Sequence, residues 1–426
     1  MLSSLLIRHA YVPRMAYHAR LGQRNVAQAA FSSSRPSRES VKSSLAPYFV
    51  DRHPKNNIPS SILEKVDKKL HLTKHHPLNI IKTRIEEYCL DYANKNNHPK
   101  FSVFDSLSPI VDSENCFDKL RVGPDHVSRQ PSDTYYLNED MLLRTHTSAH
   151  QCQFISEGVP AFLCVGDVYR RDEIDASHYP VFHQMEGVRI YSDEELNKAL
   201  SLAGTSSSPG AITKVIEDDL KELLTGLARH LFGDVEMRWN PDYFPFTEPS
   251  FELEVMFNGK WMEVLGCGVI HKEVMQNAGQ GDKHGWAFGL GLERLAMVLF
   301  GIPDIRLFWS EDPRFSTQFS EGKITKFVPY SKHPLCYKDV SFWLPNADTL
   351  AVHPNDVYEL IRDIAGDIVE RVELFDQFHH KKSDRHSHAY RIEYRHMDRS
   401  LTNEEVNAIQ DIVRQRLVEK LLVELR

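Results

Sequence analysis

Three short stretches of the chain place charged groups where chemistry could use them. Residues 166 to 189, GDVYRRDEIDASHYPVFHQMEGVR, end an apolar run on two arginines, cross a stretch of charged and small residues, and resume as an alternating run from Val181. That pattern predicts two antiparallel strands joined by a loop over 171 to 180. Arg170 then stands on a rigid strand end, where its planar fork of donors suits phosphate or carboxylate oxygens. Phe182 follows Pro180 by two residues and can present a ring to a flat ligand. Surface hairpins often carry an arginine and a phenylalanine, so this stretch does not decide by itself.

The second stretch is acidic. Residues 250 to 265, SFELEVMFNGKWMEVL, alternate apolar and acidic side chains around Asn258-Gly259, the strongest short-range signal for a two-residue hairpin turn. With those residues as the turn, Glu254 lies directly opposite Glu263 and Glu252 shares their face. Phe251, Leu253, Val255 and Phe257 point the other way with Met262 and Val264. Like charges opposite each other destabilise a sheet. The face therefore needs a cation, whether Mg2+, a ligand ammonium group or neighbouring arginines, unless the acids are simply solvated. The third stretch, GWAFGLGLERLAMVLFGIPDIR from 285 to 306, runs from strand into an apolar-striped helix with Arg294 in its first turn. A dinucleotide fingerprint would need glycine at the position of Arg294 and a parallel βαβ unit around it. The stretch reads instead as a strand-to-helix turn that places one more cation beside a polyphosphate.

These groups need a scaffold. A chain of 426 residues, 41% apolar and 26% charged, can bury a substantial core in two or three domains. Helical spacing predicts amphipathic helices over 76 to 93 and 211 to 231, the second following a GTSSSPG loop. The net charge of -8 excludes a general nucleic-acid-coating surface and leaves room only for a local patch. Six scattered cysteines show no C-x-x-C spacing, which fits a reducing compartment. No apolar run approaches the roughly 18 residues of a spanning helix, so no membrane is expected. The first 38 residues hold six arginines, no lysine and no acid, the composition of a mitochondrial transit peptide, with a disordered basic tail as the alternative. Residues 1–40 are assigned to that peptide, 41–325 to a catalytic domain and 326–426 to a second domain.

The ordered set of motifs resembles a known family. G-D-V-Y-R-R-D with the later H-x-x-x-F (Gly166 to Phe182) and G-L-G-L-E-R (Gly289 to Arg294) are similar to motifs 2 and 3 of the class II aminoacyl-tRNA synthetases. HTSAHQ (146–151), FHQMEG (182–187), YFPFTEPSFELEV (243–255) and EVLGCG (263–268) look like signature segments of the single-chain mitochondrial phenylalanyl-tRNA synthetases, from about residue 75 to the end. The resemblance implies an α+β fold, a class II antiparallel sheet flanked by helices, with a C-terminal ferredoxin-like anticodon-binding domain. It implies activation of phenylalanine by ATP and transfer to the terminal 2′-OH of tRNA(Phe), in a monomer of the mitochondrial matrix. Two competing readings are a synthetase for another amino acid, opposed by YFPFTEP and FHQMEG, and a synthetase-like protein that only holds tRNA, opposed by the two arginines and the acidic hairpin.

The same resemblance assigns residues by position. Arg170 would bind the ATP α-phosphate and the attacking carboxylate, and Arg294 would flank the bent triphosphate. Phe182 would stack on adenine, with His178 near the γ-phosphate and Asp172, Ser177 and Tyr179 completing the ATP site. Asp172 stands where many class II enzymes have Glu. Glu263 and Glu254 would hold Mg2+ or ATP. Ser148, Ala149, His150 and Gln151, with Gln184, Met185 and Glu186, match positions around the amino acid's ammonium and carboxylate groups. Phe244 and Phe246 would wall the substrate ring, and Ala287 and Phe288 would close the pocket. Such a pocket rejects the added hydroxyl of tyrosine by only about a hundredfold.

The C-terminal hundred residues read as strand 335–344, helix 355–365, strands 367–378 and 388–396, and helix 402–423, a β-α-β-β-α order that suggests a split ferredoxin-like sandwich. Residues 379 to 400 gather basic residues and five histidines. Lys381, Lys382, Arg385, Arg391 and Arg395 are the candidates for tRNA phosphate contacts on this patch. The histidine spacing along the chain fits no common metal-ligand set.

Overall fold

A computed structural model describes residues 53–329, 333–345 and 352–426; the transit-peptide expectation for residues 1–40 lies outside them. A seven-stranded sheet carries the site: β1 (Ser102–Phe104), β2 (Ala161–Tyr169), β3 (Val181–Tyr191), β4 (Met237–Phe244), β5 (Thr247–Phe257), β6 (Lys260–Ile270) and β7 (His284–Gly291). Their order is β1-β2-β3-β7-β6-β5-β4, parallel only between β1 and β2 and antiparallel elsewhere. The turn between β5 and β6 is the expected two-residue turn, with Asn258 at φ 50° and Gly259 at φ 77°. Two positive φ values are the type I′ geometry that follows the twist of the flanking strands.

Three long helices cover one face of this sheet: α1 (Pro77–Asn96), α2 (Pro209–Phe232) and α3 (Leu292–Phe300). Recognisable signals bound α1 and α2. Pro77 and Pro209 take the first helical turn, the His76 ring and the Ser208 hydroxyl accept from backbone N–H groups of Leu78 and Ala211, and Asn97 and Gly233 end the helices at positive φ. The stripe Ile216, Leu220, Leu223, Leu224 and Leu227 is fully buried against the strands, each such side chain contributing about 1.5–3 kcal/mol of burial. A buried carboxylate then fixes the register of layers. Asp219 of α2 accepts from Trp286 Nε1 (2.7 Å), Arg189 Nη1 (2.8 Å) and the hydroxyls of Tyr191 and Tyr92 (2.5 and 3.1 Å), tying α2 to β7, β3 and α1.

The C-terminal domain has β8 (Cys336–Trp343), α4 (Pro354–Ala365), β9 (Val369–His380), β10 (Arg385–Tyr394), α5 (Asn403–Leu421) and a last strand β11 (Glu424–Leu425) that the sequence reading did not contain. The order β9-β10-β8-β11, antiparallel throughout, completes the ferredoxin-like sandwich. A capping box opens α5: the Thr402 hydroxyl accepts from Glu405 N while the Glu405 side chain accepts from Thr402 N. The polar segment near 316–326 is less of a linker than expected, because Phe315, Phe319 and Phe327 are buried in the core of the first domain.

The two domains meet at the loop that follows Arg170. Ile174 is buried in the core of the C-terminal domain and its carbonyl accepts from Val372 N. Arg171 faces Asp356 and Glu359 of α4, and Arg362 donates to the carbonyls of Asp172 and Glu173. Arg306, 4% exposed, binds Asp304 and Glu370 and reaches the carbonyls of Asp367 and Arg395.

Candidate active site

The site lies on the sheet face away from α1–α3, and the alternation of strands decides which side chains reach it. On β3, Phe182, Gln184 and Glu186 point to this face, while His183 and Met185 point into the core under the helices. Met185, fully buried there, is therefore no part of the site, contrary to the expectation from the resemblance. The same rule divides β7. Ala287 packs into the smaller cluster on the site face with Val188, Ile270 and Phe246, whereas Phe288 lies over Gly187 in the main core and does not close the pocket.

Arg170 leaves the end of β2 with its Nε donating to the Thr145 carbonyl at 2.8 Å and its guanidinium over the ring of Phe182 at 5.2 Å. Its amide donates to Pro180 O, closing the loop at its base. Burial holds Arg170 below the usual guanidinium range, and the charge of Arg294 pushes the same way, so the two cations share one field. Arg294 reaches this position from the first turn of α3. Its neighbour Glu293, 2% exposed, accepts from both the amide and the Nδ1 of His183 at 2.7 Å. Phe182 and His183 are consecutive strand residues facing opposite ways, and Arg294 follows Glu293 about 100° round the first turn of α3. One buried contact thus sets the distance between the arginine and the aromatic ring across the sheet. Neither His183 nor Glu293 stood out in the sequence; the signal was a lone His and a lone Glu inside motifs otherwise read for their neighbours.

The like-charge puzzle of the acidic hairpin resolves by pairing. Glu254 does lie opposite Glu263. Arg294 Nη1 binds Glu263 at 2.8 Å, and Glu254 is engaged by Arg238 and by Asn240 Nδ2 at 2.6 Å. Arg238 holds the Glu254 carboxyl below its usual range. Glu252 has no such partner: partial burial, then the charges of Glu263 and Asp242, push its carboxyl up to about 7. Glu254 and Glu263 each have Oε2 engaged by an arginine, and of these three acids Glu252 is the one with no cationic partner among the described residues.

Within the loop 171–180, Asp175 organises the tip that carries His178. Asp175 accepts from the amides of Ser177 (2.6 Å) and His178 (2.8 Å), from the Ser177 hydroxyl and from His178 Nδ1 at 2.8 Å. That bond raises the His178 ring above its ordinary range and directs Nε2 outward. Asp172 lends its negative charge to both Arg170 and His178. Tyr179 turns away from the expected ATP site: its hydroxyl donates to Asp367 at 2.6 Å and its ring stacks on Trp309.

A second pocket wall comes from residues 146–151. Glu186, 3% exposed, is pushed up to about 8 by burial, although the Ser148 and Thr147 hydroxyls stabilise its ionised form. Its Oε2 and both amide atoms of Gln151 are buried without a protein partner. Buried polar atoms rarely stay unpaired, and this pair suits an incoming ammonium or carboxylate. Ala149 packs in the smaller cluster beneath. His150 is turned the other way, its Nε2 3.0 Å from Arg144 Nη1, and burial with that charge lowers it to about 3, leaving a neutral packing histidine rather than a substrate ligand. Phe244 and Phe246 stack at 5.9 Å. Phe244 lies so close above Gly266 that a Cβ there would stand 2.6 Å from its ring. Gly289 and Gly291, facing the site, have open space above them.

The basic patch of the C-terminal domain divides too. Lys381 and Lys382 form the tip of the β9–β10 hairpin. Arg385 stacks on Trp343 and pairs with Glu424, and Arg391 lies over Tyr337 and Phe375 while pairing with Asp339 at 2.8 Å. Arg395 is at the other end of β10, facing Glu370 at the domain contact.

Comparison with known proteins gives a consistent result. Residues 63–205 and 213–319 match the family described as tRNA synthetases class II core domain (F), and residues 331–426 match the ferredoxin-fold anticodon binding domain. The chain is 52% identical to the chloroplastic/mitochondrial phenylalanine–tRNA ligase of Arabidopsis thaliana over 88% of this chain and 83% of that protein. It is 46% identical to the mitochondrial phenylalanine–tRNA ligase of Mus musculus over 98% and 97% of the two chains, and 41% identical to that of Saccharomyces cerevisiae over 87% and 92%.

Proposed function

Because the chain belongs to the class II tRNA synthetases, in the branch of the mitochondrial phenylalanine–tRNA ligases, we propose that its sheet face performs both steps of phenylalanylation with the residues described. The enzyme activates phenylalanine with ATP and transfers it to tRNA(Phe) for mitochondrial translation. The matrix is its place of work, and it acts as a monomer. The observation that carries the assignment is the shared field of Arg170 and Arg294 above a floor of small residues, with Phe182 beside the one and Glu263 beside the other.

In the first step the phenylalanine carboxylate attacks the ATP α-phosphorus and pyrophosphate leaves. Charge builds on the phosphate oxygens, and two fixed cations stabilise it without any protein nucleophile. Arg170 serves the α-phosphate and the attacking carboxylate; Arg294 and the His178 imidazolium serve the departing end. Phe182 carries the adenine. Glu186 and Gln151, with Ser148 and Gln184, hold the ammonium and carboxylate of the amino acid, and Phe244, Phe246 and Ala287 enclose its ring. Glu252 and Glu263 would hold Mg2+, which neutralises phosphate charge when bound. In the second step the terminal ribose hydroxyl of tRNA, losing its proton, attacks the adenylate carbonyl; the anhydride bond breaks and AMP leaves. Lys381, Lys382 and the arginine-aromatic face of Arg385 and Arg391 bind the tRNA at its far end, by phosphate contact and stacking.

Aminoacylation of total mitochondrial tRNA with each of the amino acids tests this reading. Phenylalanine is expected to be the main product, with tyrosine a minor one. Charging of another amino acid at a higher rate, or tRNA binding without charging, would replace it.

A further inference from the structure

The histidines of the C-terminal hairpin have no part in the reaction above, and their spacing along the chain suggests nothing. Across the strands they converge. The β9–β10 register pairs His379 directly with His386, and their rings lie parallel at 4.3 Å. Asp384, in the turn at φ 50°, folds back so that its Oδ1 lies 2.7 Å from His379 Nε2. One nitrogen from each histidine and one oxygen of Asp384 lie within 4.8 Å of one another.

We infer that His379, His386 and Asp384 form a binding site for a divalent transition-metal ion of the Zn2+ class on the hairpin of the anticodon-binding domain. Two imidazoles and a carboxylate are a common donor set for such ions. Bonds of about 2.0–2.2 Å bring ligand atoms to roughly 3.3 Å from each other, so the two rings must rotate from stacked to convergent. All three side chains are exposed, and the rotation requires no change in the backbone ladder. Lys381 and Lys382 sit in the same turn, and their charge disfavours hard cations held by electrostatics alone, such as Mg2+ and Ca2+. Neutral imidazole nitrogens still bind softer ions in that setting. A histidine ligand must be neutral to bind, so metal uptake releases protons and weakens in acid.

The full chain, prepared without a histidine tag, is titrated with Co2+ as an absorbing probe and then with Zn2+ as competitor at pH 7.5 and pH 5.5. One saturable equivalent is expected at pH 7.5, displaced by Zn2+, unaffected by millimolar Mg2+ and lost at pH 5.5. Removing a ligand in His386→Ala should weaken it by roughly tenfold or more, since even supporting residues behind a ligand cost that much. The double variant His379→Ala/His386→Ala should abolish it while phenylalanine-dependent pyrophosphate exchange continues at the wild-type rate. No saturable uptake by the wild type, or the same uptake by the double variant, overturns the inference.

Discussion

At the scale of single residues, protonation does much of the work. Asp175 shifts His178 toward its charged form, so its cation is present below its raised titration point and disappears as pH rises through it. Asp175→Asn removes that support and lowers the point. The variant should raise KM for ATP about fivefold, the cost of weakening one charge-assisted hydrogen bond by roughly 1 kcal/mol, and move the basic limb of the pH profile downward. In a His178→Ala background the same substitution should leave the pH profile unmoved; a shift there, or none in the wild-type background, contradicts the role given to the pair. Glu186 behaves in the opposite sense. Its buried carboxyl, raised to about 8, is mostly protonated at neutral pH, and pairing with an ammonium group requires it to ionise. Phenylalanine binding should therefore release about one proton near pH 7, and affinity should rise by up to about tenfold per unit between pH 6 and 8. Calorimetry in buffers of differing ionisation enthalpy reads this directly, and a buffer-independent heat would contradict it. The same shift makes the fold less stable as pH rises from about 4.5 to about 8, because the native state holds the proton that the unfolded chain gives up.

At the scale of elements, the question is what holds a helix and a strand at the spacing the chemistry needs. Glu293 fastens the start of α3 to His183 of β3 with two bonds in a dry interior. Removing the acceptor leaves two buried donors of His183 unpaired, a cost of about 3 kcal/mol. Glu293→Ala should lose about that much in chemical denaturation and Glu293→Gln, which keeps an acceptor, about 1 kcal/mol; wild-type stability for the alanine variant would contradict the positioning argument. The elements themselves were largely legible: Asn258-Gly259 announced its hairpin, and helical spacing announced α1 and α2. The faces were less so. Met185 and Phe288 lie inside recognisable motifs, yet a motif is contiguous in sequence while a strand shows only alternate residues to one side. Tyr179 failed for another reason, since its partner Asp367 comes from the other domain, while His150 is drawn to Arg144, a near neighbour in sequence that Asp167 holds in place. A strand as short as β11 carries too few residues for any periodicity.

At the scale of the whole molecule, the two domains divide the labour but are joined through the loop that carries His178. Ile174, Arg171 and Arg362 link that loop to the C-terminal domain, contacts no local pattern could reveal. The acidic total of -8 is compatible with RNA binding because Lys381 and Lys382 project from a hairpin beside stacked arginine and aromatic side chains. Lys381→Glu/Lys382→Glu should weaken tRNA(Phe) binding, flatten its salt dependence by roughly one to two phosphate contacts, and leave pyrophosphate exchange unchanged; wild-type tRNA affinity would remove the hairpin from the interface. All of this depends on Arg170, from the end of β2, and Arg294, from the start of α3, acting on one bound nucleotide. The most direct measurement is phenylalanine-dependent ATP–pyrophosphate exchange by Arg170→Ala and Arg294→Ala, alongside the wild type. Each variant should lose roughly a hundred- to a thousandfold in rate, the scale of a missing preorganised charge, with its unfolding midpoint little changed. Exchange within about twofold of wild type in either variant would contradict the account.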